Sequence, residues 1–277
     1  MLSRPCPAVL IVFQSSGKIG AWGLMAAAVL ALTGCAVFLR NTPVPIPTQA
    51  TQFSPSGRSS TLVVFLPGRG GSMDDFNRHG FIAALREAGI AADTLTVDAH
   101  LGYYYNRTVI DRLRADVWEP ARARGYRRIV VVGVSLGGLG ALLNERDAAG
   151  YVDAIVLLAP YLGDKAALFE QIKAAGGPVA WAAGRASKAK GVEEEIWTFL
   201  GNRSAALPPT WLLYGREDSL APGHRMLATL LPPGRVTAVE GNHDWKTWLS
   251  LWRRVCVESD LFAAERAGRA TETGGGN

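Results

Sequence analysis

From Thr61 onward, short runs of apolar and often β-branched residues alternate with longer amphipathic stretches. Runs of the first kind include TLVVFL, IVVVG and AIVLL, and they contain few residues that could face water. Strands of this composition are buried on both faces, as they are in parallel sheets that are covered by helices. The alternation therefore predicts an α/β fold with a doubly wound, mostly parallel sheet and helices on both of its faces.

Composition and charge exclude several classes of protein. The chain has 277 residues, of which 48% are hydrophobic and 19% are charged, so it can bury the core of one α/β domain. The net charge is +5, but residues 1–34 hold two basic residues and no acid, which leaves 27 of the 29 basic residues against 24 acids. The arginines are scattered, so nucleic-acid binding is not expected. Neither metal-ligand spacing nor a disulfide pattern occurs among the histidines and cysteines, so no metal is predicted.

One predicted strand ends in an unusual sequence. Residues 133–137 read Gly-Val-Ser-Leu-Gly, which fits the G-x-S-x-G pattern of a turn between a buried strand and a helix. Such a turn holds the serine in a strained backbone conformation that projects its hydroxyl above the sheet. Glycine is needed two positions before and after the serine because a Cβ there would collide. Ser135 is therefore a candidate nucleophile.

A nucleophilic serine needs a base and an acid, and parallel strands bring such groups to one edge of the sheet. Asp218, with Glu217 as its neighbour, follows the strand WLLYG, and His243 follows the last predicted strand. The order serine, acid, histidine and the placement after successive strands both fit. His79 and His224 fall in predicted helices, and His100 precedes the serine, so none of these three is chosen.

With these residues the chain resembles the α/β-hydrolase-fold serine hydrolases, which include esterases and lipases, over residues 61–264. The resemblance implies that Ser135 is the nucleophile and that His243 accepts its proton and later passes it to the leaving group. Asp218 would orient the imidazole and stabilise its cation. It implies neither a metal ion nor an organic cofactor.

The resemblance also implies an oxyanion hole, in which two backbone N–H groups stabilise the negative charge of the tetrahedral intermediate. The N–H of Leu136, directly after the nucleophile, is the first. The turn LPGRGG after the first strand supplies the second, for which we choose the N–H of Arg69 and take Gly70 as the second choice.

Two departures from the full fold are expected. The family has additional early strands, whereas the segment before Thr61 leaves little room for them, so we expect a reduced sheet of about six strands. Residues 164–206 are inserted between two predicted strands and are expected to form a small helical cap over the nucleophile, where substrate choice would reside.

The first 35 residues have the properties of a secretory signal. Lys18 precedes the apolar stretch IGAWGLMAAAVLAL, and LTGC at residues 32–35 resembles the bacterial lipobox, in which Cys35 is lipidated. Alternatively, the apolar run continues through residue 39 and is long enough to span a bilayer uncleaved. Either reading anchors the protein to the membrane of a bacterial cell envelope and places the domain outside the cytoplasm, facing the periplasm or the exterior.

Segments on both sides of the domain are predicted to be irregular. Residues 36–60 contain alternating prolines and are predicted to be an extended linker. Residues 265–277 end in a polar, glycine-rich sequence and are predicted to be a disordered tail.

Together these features predict a membrane-anchored serine hydrolase of the carboxylesterase and lipase kind. It would cleave a small-molecule carboxylic ester or thioester through an acyl-serine intermediate. An acyltransferase or a serine peptidase would use the same three residues, and a non-catalytic binding lipoprotein could use the same fold. The sequence leaves these alternatives open.

Overall fold

The computed structural model describes residues 40–53, 59–185 and 189–266. The strands are β1 (Thr48–Thr51), β2 (Thr61–Leu66), β3 (Asp93–Val97), β4 (Arg128–Val134), β5 (Ala154–Leu158), β6 (Thr210–Gly215) and β7 (Val236–Val239). The helices are α1 (Asp75–Arg78), α2 (Phe81–Glu87), α3 (Leu101–Tyr105), α4 (Val109–Leu113), α5 (Glu119–Ala123), α6 (Leu136–Asp147), α7 (Ala166–Ala174), α8 (Pro178–Ala183), α9 (Val192–Arg203), α10 (Ala221–Ala228) and α11 (Trp245–Glu258). A π-helical turn, Arg114–Trp118, joins α4 to α5.

Within these described residues the strands form one sheet of seven, in the order β1-β3-β2-β4-β5-β6-β7. Only β1 is antiparallel to its neighbour, and the other adjacent pairs are parallel. Helices cover both sides, so the predicted α/β-hydrolase fold is confirmed. The sheet has seven strands rather than about six because β1 forms from the segment before Thr61.

The strand order determines where the site lies. The chain places β3 on one side of β2 and β4 on the other, so the winding direction reverses between β2 and β4. In open α/β sheets the ligand crevice lies outside the carboxyl ends of the strands at such a reversal. Ser135 follows β4 at this point, and the turn that contains Arg69 follows β2.

The centre of the sheet is buried on both faces. Every residue of β2, β5 and β6 is buried, as their apolar composition predicts. Helix α6 packs against β2, β4 and β5, and α11 packs against α2 and against β5, β6 and β7. These two helices begin at the carboxyl end of the sheet, directly after Ser135 and shortly after His243.

Part of the predicted linker, residues 36–60, packs against the domain. The Ile46 side chain is buried, and its backbone N–H donates to Asp116 Oδ2 at 2.8 Å. Arg40 forms an ion pair with Asp98, and β1 extends the sheet beyond β3. Prolines are tolerated beside an edge strand because only one side of that strand needs hydrogen-bond partners.

The other end of the chain also differs from the prediction. Glu265, predicted as the first residue of a disordered tail, is buried and accepts a hydrogen bond from Thr61 Oγ1 at 2.9 Å. It also forms an ion pair with Arg128, at the start of β4. Residues 267–277 lie outside the described residues.

The insertion between β5 and β6 forms α7, α8 and α9 in its described part. Helix α9 packs against α8 and against α6, the helix that follows Ser135. Trp197 of α9 is buried, and its Nε1 donates to the carbonyl of Leu162 at 2.8 Å, which ties the insertion to the end of β5.

No helix in residues 40–53, 59–185 and 189–266 is both long and apolar enough to cross a bilayer. The predicted signal, the lipobox and Cys35 lie outside the described residues, so the anchor remains a prediction from the sequence.

Candidate active site

Ser135 lies in a strained turn between β4 and α6. Its φ of 52° and ψ of −111° fall in a region that side-chain-bearing residues rarely adopt. The turn is fixed through its backbone, because the N–H of Ser135 donates to Leu158 O at 2.9 Å and the N–H of Tyr161 donates to Ser135 O at 2.8 Å. Leu158 is the last residue of β5 and Tyr161 lies in the loop after it, so the neighbouring strand and its loop hold the serine in place.

The glycines of the G-x-S-x-G pattern have the predicted steric role. A Cβ on Gly133 would collide with the backbone of Gly137, and a Cβ on Gly137 would collide with the carbonyl of Leu66 at the end of β2. A Cβ on Gly138 would lie 2.7 Å from Pro160 Cβ. The helix can therefore begin this close to three strands only with glycine at these positions.

The structure brings the three predicted side chains together. His243 Nε2 lies 2.9 Å from Ser135 Oγ, and His243 Nδ1 lies 2.7 Å from Asp218 Oδ2. A carboxylate only accepts hydrogen bonds, so Nδ1 carries the hydrogen and Nε2 of the neutral ring can accept from the serine hydroxyl. The arrangement can deprotonate that hydroxyl as it attacks an electrophile.

Asp218 is held as a carboxylate. Its side chain has no exposed surface, and this burial alone would raise its pKa. The hydrogen bonds from His243 and from the N–H of Leu220, at 2.8 Å to Oδ1, outweigh burial, so the pKa of Asp218 lies below its usual value. The neighbouring acid, Glu217, instead accepts from the N–H of Gly241.

The other three histidines have different surroundings. The His79 ring stacks on Trp245 with centroids 4.4 Å apart. His100 caps α3 by accepting from the N–H of Gly102. His224 is fully buried, and its Nε2 lies 3.0 Å from the carbonyl of Pro160.

The predicted oxyanion residues lie around the same cavity as Ser135. Leu136 is the first residue of α6, where the helix dipole favours negative charge. The turn after β2 is closed by a hydrogen bond of 3.0 Å from Gly71 N to Gly68 O, so Arg69 and Gly70 are its central residues. An added Cβ on Gly68 would lie 3.4 Å from Ser135 Cβ, so this turn passes directly over the serine.

A cavity of about 1340 Å³ opens over the serine. Besides Ser135 and His243, it is lined by residues of the turn after β2, of α3 and α4, and of α9. Trp245 and Trp248, which the sequence does not single out as site residues, line it beside His243. Trp248 meets the His243 ring edge-on at 4.8 Å between centroids. Their helical spacing indicates one buried face of α11 but not which members of that face reach a cavity.

The alpha/beta hydrolase family model matches residues 63–274 of the sequence. The chain belongs to this family. The match includes the turn after β2, the G-x-S-x-G turn and the strand ends that carry Asp218 and His243. The family assignment and the fold agree that the protein has a hydrolase architecture.

Solved structures of several hydrolases resemble this one at low sequence identity. S-formylglutathione hydrolase from Staphylococcus aureus has a TM-score of 0.56 and 15% identity, covering 79% of this chain and 95% of that chain. The fluorophosphonate-binding serine hydrolase F of Staphylococcus aureus has a TM-score of 0.50 and 16% identity, covering 79% and 95%. A CIB-like hydrolase from Thermoplasma acidophilum has a TM-score of 0.50 and 16% identity, covering 76% and 92%. At such identities the likeness concerns the fold alone. Comparison with curated proteins gave no match.

Proposed function

We propose that this alpha/beta hydrolase cleaves a carboxylic ester or thioester through an acyl-serine intermediate. The observation that supports the proposal most directly is the unbroken line of contacts from Asp218 through His243 to Ser135, with distances of 2.7 and 2.9 Å. A serine without a base is a poor nucleophile, and an imidazole at this distance removes that limitation.

In the proposed reaction, Ser135 Oγ attacks the carbonyl carbon while His243 Nε2 takes the hydroxyl proton. The carbon–oxygen or carbon–sulfur bond then breaks as His243 gives that proton to the leaving alcohol or thiol. Water attacks the acyl-serine with the same base, releases the carboxylic acid and regenerates the serine. No proton or electron has to come from another group.

Two surrounding features would stabilise this path. The buried carboxylate of Asp218 faces the imidazolium that forms in each half of the reaction. The backbone N–H groups of Leu136 and Arg69, or of Gly70 in place of Arg69, would bind the oxyanion. One such donor contributes about 3–4 kcal/mol to the stability of the transition state.

Labelling with a fluorophosphonate probe tests the nucleophile. We expect the wild-type protein to be labelled and Ser135→Ala to be unlabelled. Ser219→Ala is the matched control, because Ser219 is an exposed serine that lines the same cavity and should leave labelling intact. An unlabelled wild type, or a labelled Ser135→Ala variant, would reject the proposal.

We also propose that the domain is tethered outside the cytoplasm through lipidated Cys35. The support is the lipobox-like sequence LTGC after an apolar stretch. Mass spectrometry of the amino-terminal peptide of the membrane fraction would identify a lipidated Cys35 as the first residue. An unmodified cysteine within an uncleaved chain would contradict lipidation and favour a membrane-spanning segment.

A further inference from the structure

The cavity over Ser135 continues along the surface of α6. Leu136, Leu139, Leu143 and Arg146 of this helix all line it. Their spacing of three, four and three positions places them along one face of the helix. With a rise of about 1.5 Å per residue, the stripe from Leu136 to Arg146 extends about 15 Å away from the serine.

Helices on both sides of this stripe make it a groove, which we call the α6 groove. Tyr104 of α3 and Ile110 of α4 line one side, and Val192 of α9 lines the other. The Tyr104 ring lies close to the floor, because a Cβ on Gly140 of α6 would collide with its hydroxyl. The three leucines, Ile110 and Val192 give the α6 groove an apolar lining that suits a hydrocarbon chain, although Asp111 and Arg114 also line the cavity.

Charged groups close the far end of the α6 groove. Arg146 donates to Glu195 of α9 at 2.7 Å and to both carboxylate oxygens of Asp147 at 2.6 and 2.7 Å. The Arg146–Glu195 ion pair thus joins α6 to α9 across the groove. An apolar chain that reached it would remove water from both charges without offering them a hydrogen bond, which is unfavourable.

The position of His243 indicates which half of a substrate enters the α6 groove. The leaving group must lie within reach of His243 Nε2, because this atom gives it a proton. His243 contacts Trp248 of α11, and α11 packs against α2, whereas α6 packs against α4 and α9. The leaving group therefore lies beside His243 and α11, whereas the α6 groove runs from the serine between α4 and α9. The acyl half of the substrate is the part that can enter this groove.

We propose that the α6 groove binds the acyl chain and that the Arg146–Glu195 ion pair sets the upper limit of its length. An extended carbon chain with bonds of about 1.5 Å and angles of about 111° advances about 1.25 Å per bond. The leucines span about 10 Å and the whole stripe about 15 Å. The preferred substrate is thus an ester or thioester of an unbranched acid of about eight to twelve carbons. This inference rests on the proposed function.

A series of alkyl fluorophosphonates, with alkyl groups from methyl to hexadecyl, tests the preferred acyl length on the whole protein. The alkyl group of each probe takes the place of the acyl chain of a substrate. We expect the second-order rate of inactivation to rise about two- to fourfold per methylene and to fall beyond about twelve carbons. A parallel series of acetate esters with lengthening alcohols should show no such rise. A length dependence in the alcohol series alone would overturn the proposal.

Substitution of Val192, an exposed residue on one side of the α6 groove, tests whether this groove binds the alkyl chain. Val192→Phe should lower the ratio of the decyl to the methyl rate by about tenfold, which corresponds to the loss of one to two buried methylenes. Val257→Phe is the matched control, since Val257 is an exposed valine of α11 that does not line the cavity, and it should leave the ratio unchanged. An unchanged ratio in Val192→Phe would overturn the assignment of the groove.

The double variant Arg146→Met with Glu195→Gln tests whether the ion pair sets the upper limit of the acyl length. Removal of both charges should lengthen the longest chain that reacts well by about two to four carbons, because an apolar side chain at position 146 then extends the stripe of leucines up to Asp147. An unchanged cut-off would contradict the role of the ion pair. Complete absence of labelling in the wild type would instead reject the proposed function. Labelling without any length dependence would reject the α6 groove alone.

Discussion

At the scale of single residues, Ser135 depends on its neighbours for a conformation it would not adopt alone. A φ of 52° in a non-glycine residue costs about 1–3 kcal/mol. Two backbone hydrogen bonds, to Leu158 O and from Tyr161 N, offset this conformational free energy. The flanking glycines also allow the backbones of β2 and α6 to approach the turn closely. The turn is therefore held by packing around it rather than by the serine side chain.

Substitution of Asp218 by asparagine tests its proposed role without removing its volume. The amide is neutral and cannot stabilise the imidazolium, so we expect kcat for ester hydrolysis to fall by about 10³–10⁴-fold. Glu217→Gln is the control, since Glu217 contacts Gly241 rather than His243. Circular dichroism would verify that both variants fold. Equal rates for the two variants would mean that Asp218 has no catalytic role.

His224 is a fully buried histidine close to the site, and it contacts the loop that follows β5. Its Nε2 bonds to the carbonyl of Pro160, and the next residue, Tyr161, donates to Ser135 O. Burial lowers the pKa of His224 to about 4, against the smaller opposing effects of Asp218 and of the Pro160 carbonyl. The folded protein therefore keeps this ring neutral down to about pH 4.

Stability should consequently fall between pH 6.5 and about 4, where the unfolded chain binds a proton at residue 224 and the folded chain does not. Above pH 6.5 neither state is protonated there, and below about pH 4 the loss is complete, at roughly 3 kcal/mol. His224→Gln keeps a donor for Pro160 but cannot titrate. Urea unfolding of both proteins across this window should give a flatter pH dependence for the variant, and identical slopes would refute the assignment.

At the scale of secondary-structure elements, the strands that bury apolar residues can be predicted from the sequence, and an exposed strand cannot. The β5 strand is apolar throughout, and β2, β4 and β6 are apolar after their first residue, so these strands were predictable. The edge strand β1, with sequence TQAT, is exposed along its length and carries no apolar pattern. Residues 75–87 form two helices, α1 and α2, rather than one, because Gly80 between them has a φ of 79°.

The residues after α11 are another element that the sequence does not reveal. Glu265 lies far from Thr61 and Arg128 along the chain, so only packing of the completed fold brings them together. Glu265→Ala would leave the Arg128 guanidinium without this partner, and we expect the free energy of unfolding to fall by about 1–3 kcal/mol.

Denaturant unfolding of Glu265→Ala measures this loss. Glu258→Ala is the matched control, because Glu258 forms an exposed ion pair with Arg254 within α11 and should cost less than about 1 kcal/mol. Equal free energies of unfolding for the two variants would mean that the contacts of Glu265 do not stabilise the domain.

At the scale of the whole molecule, the candidate site joins the carboxyl ends of strands that are distant in sequence. Ser135, Asp218 and His243 were predictable because a parallel sheet brings such ends to one edge, and because their order along the chain fits the family. The two contact distances, the ring of Trp248 beside His243 and the α6 groove were not predictable. They depend on how α11 and α9 pack over the sheet, which a single sequence does not specify.

The acyl-serine intermediate is the central claim, and trapping it is the most direct test. The protein would be mixed with a p-nitrophenyl ester, quenched in acid during turnover, digested and analysed by mass spectrometry. We predict a burst of p-nitrophenol stoichiometric with the protein and the mass of the acyl group on the peptide that contains Ser135. Turnover without an acyl group on Ser135, or with the group on another residue, would contradict the account.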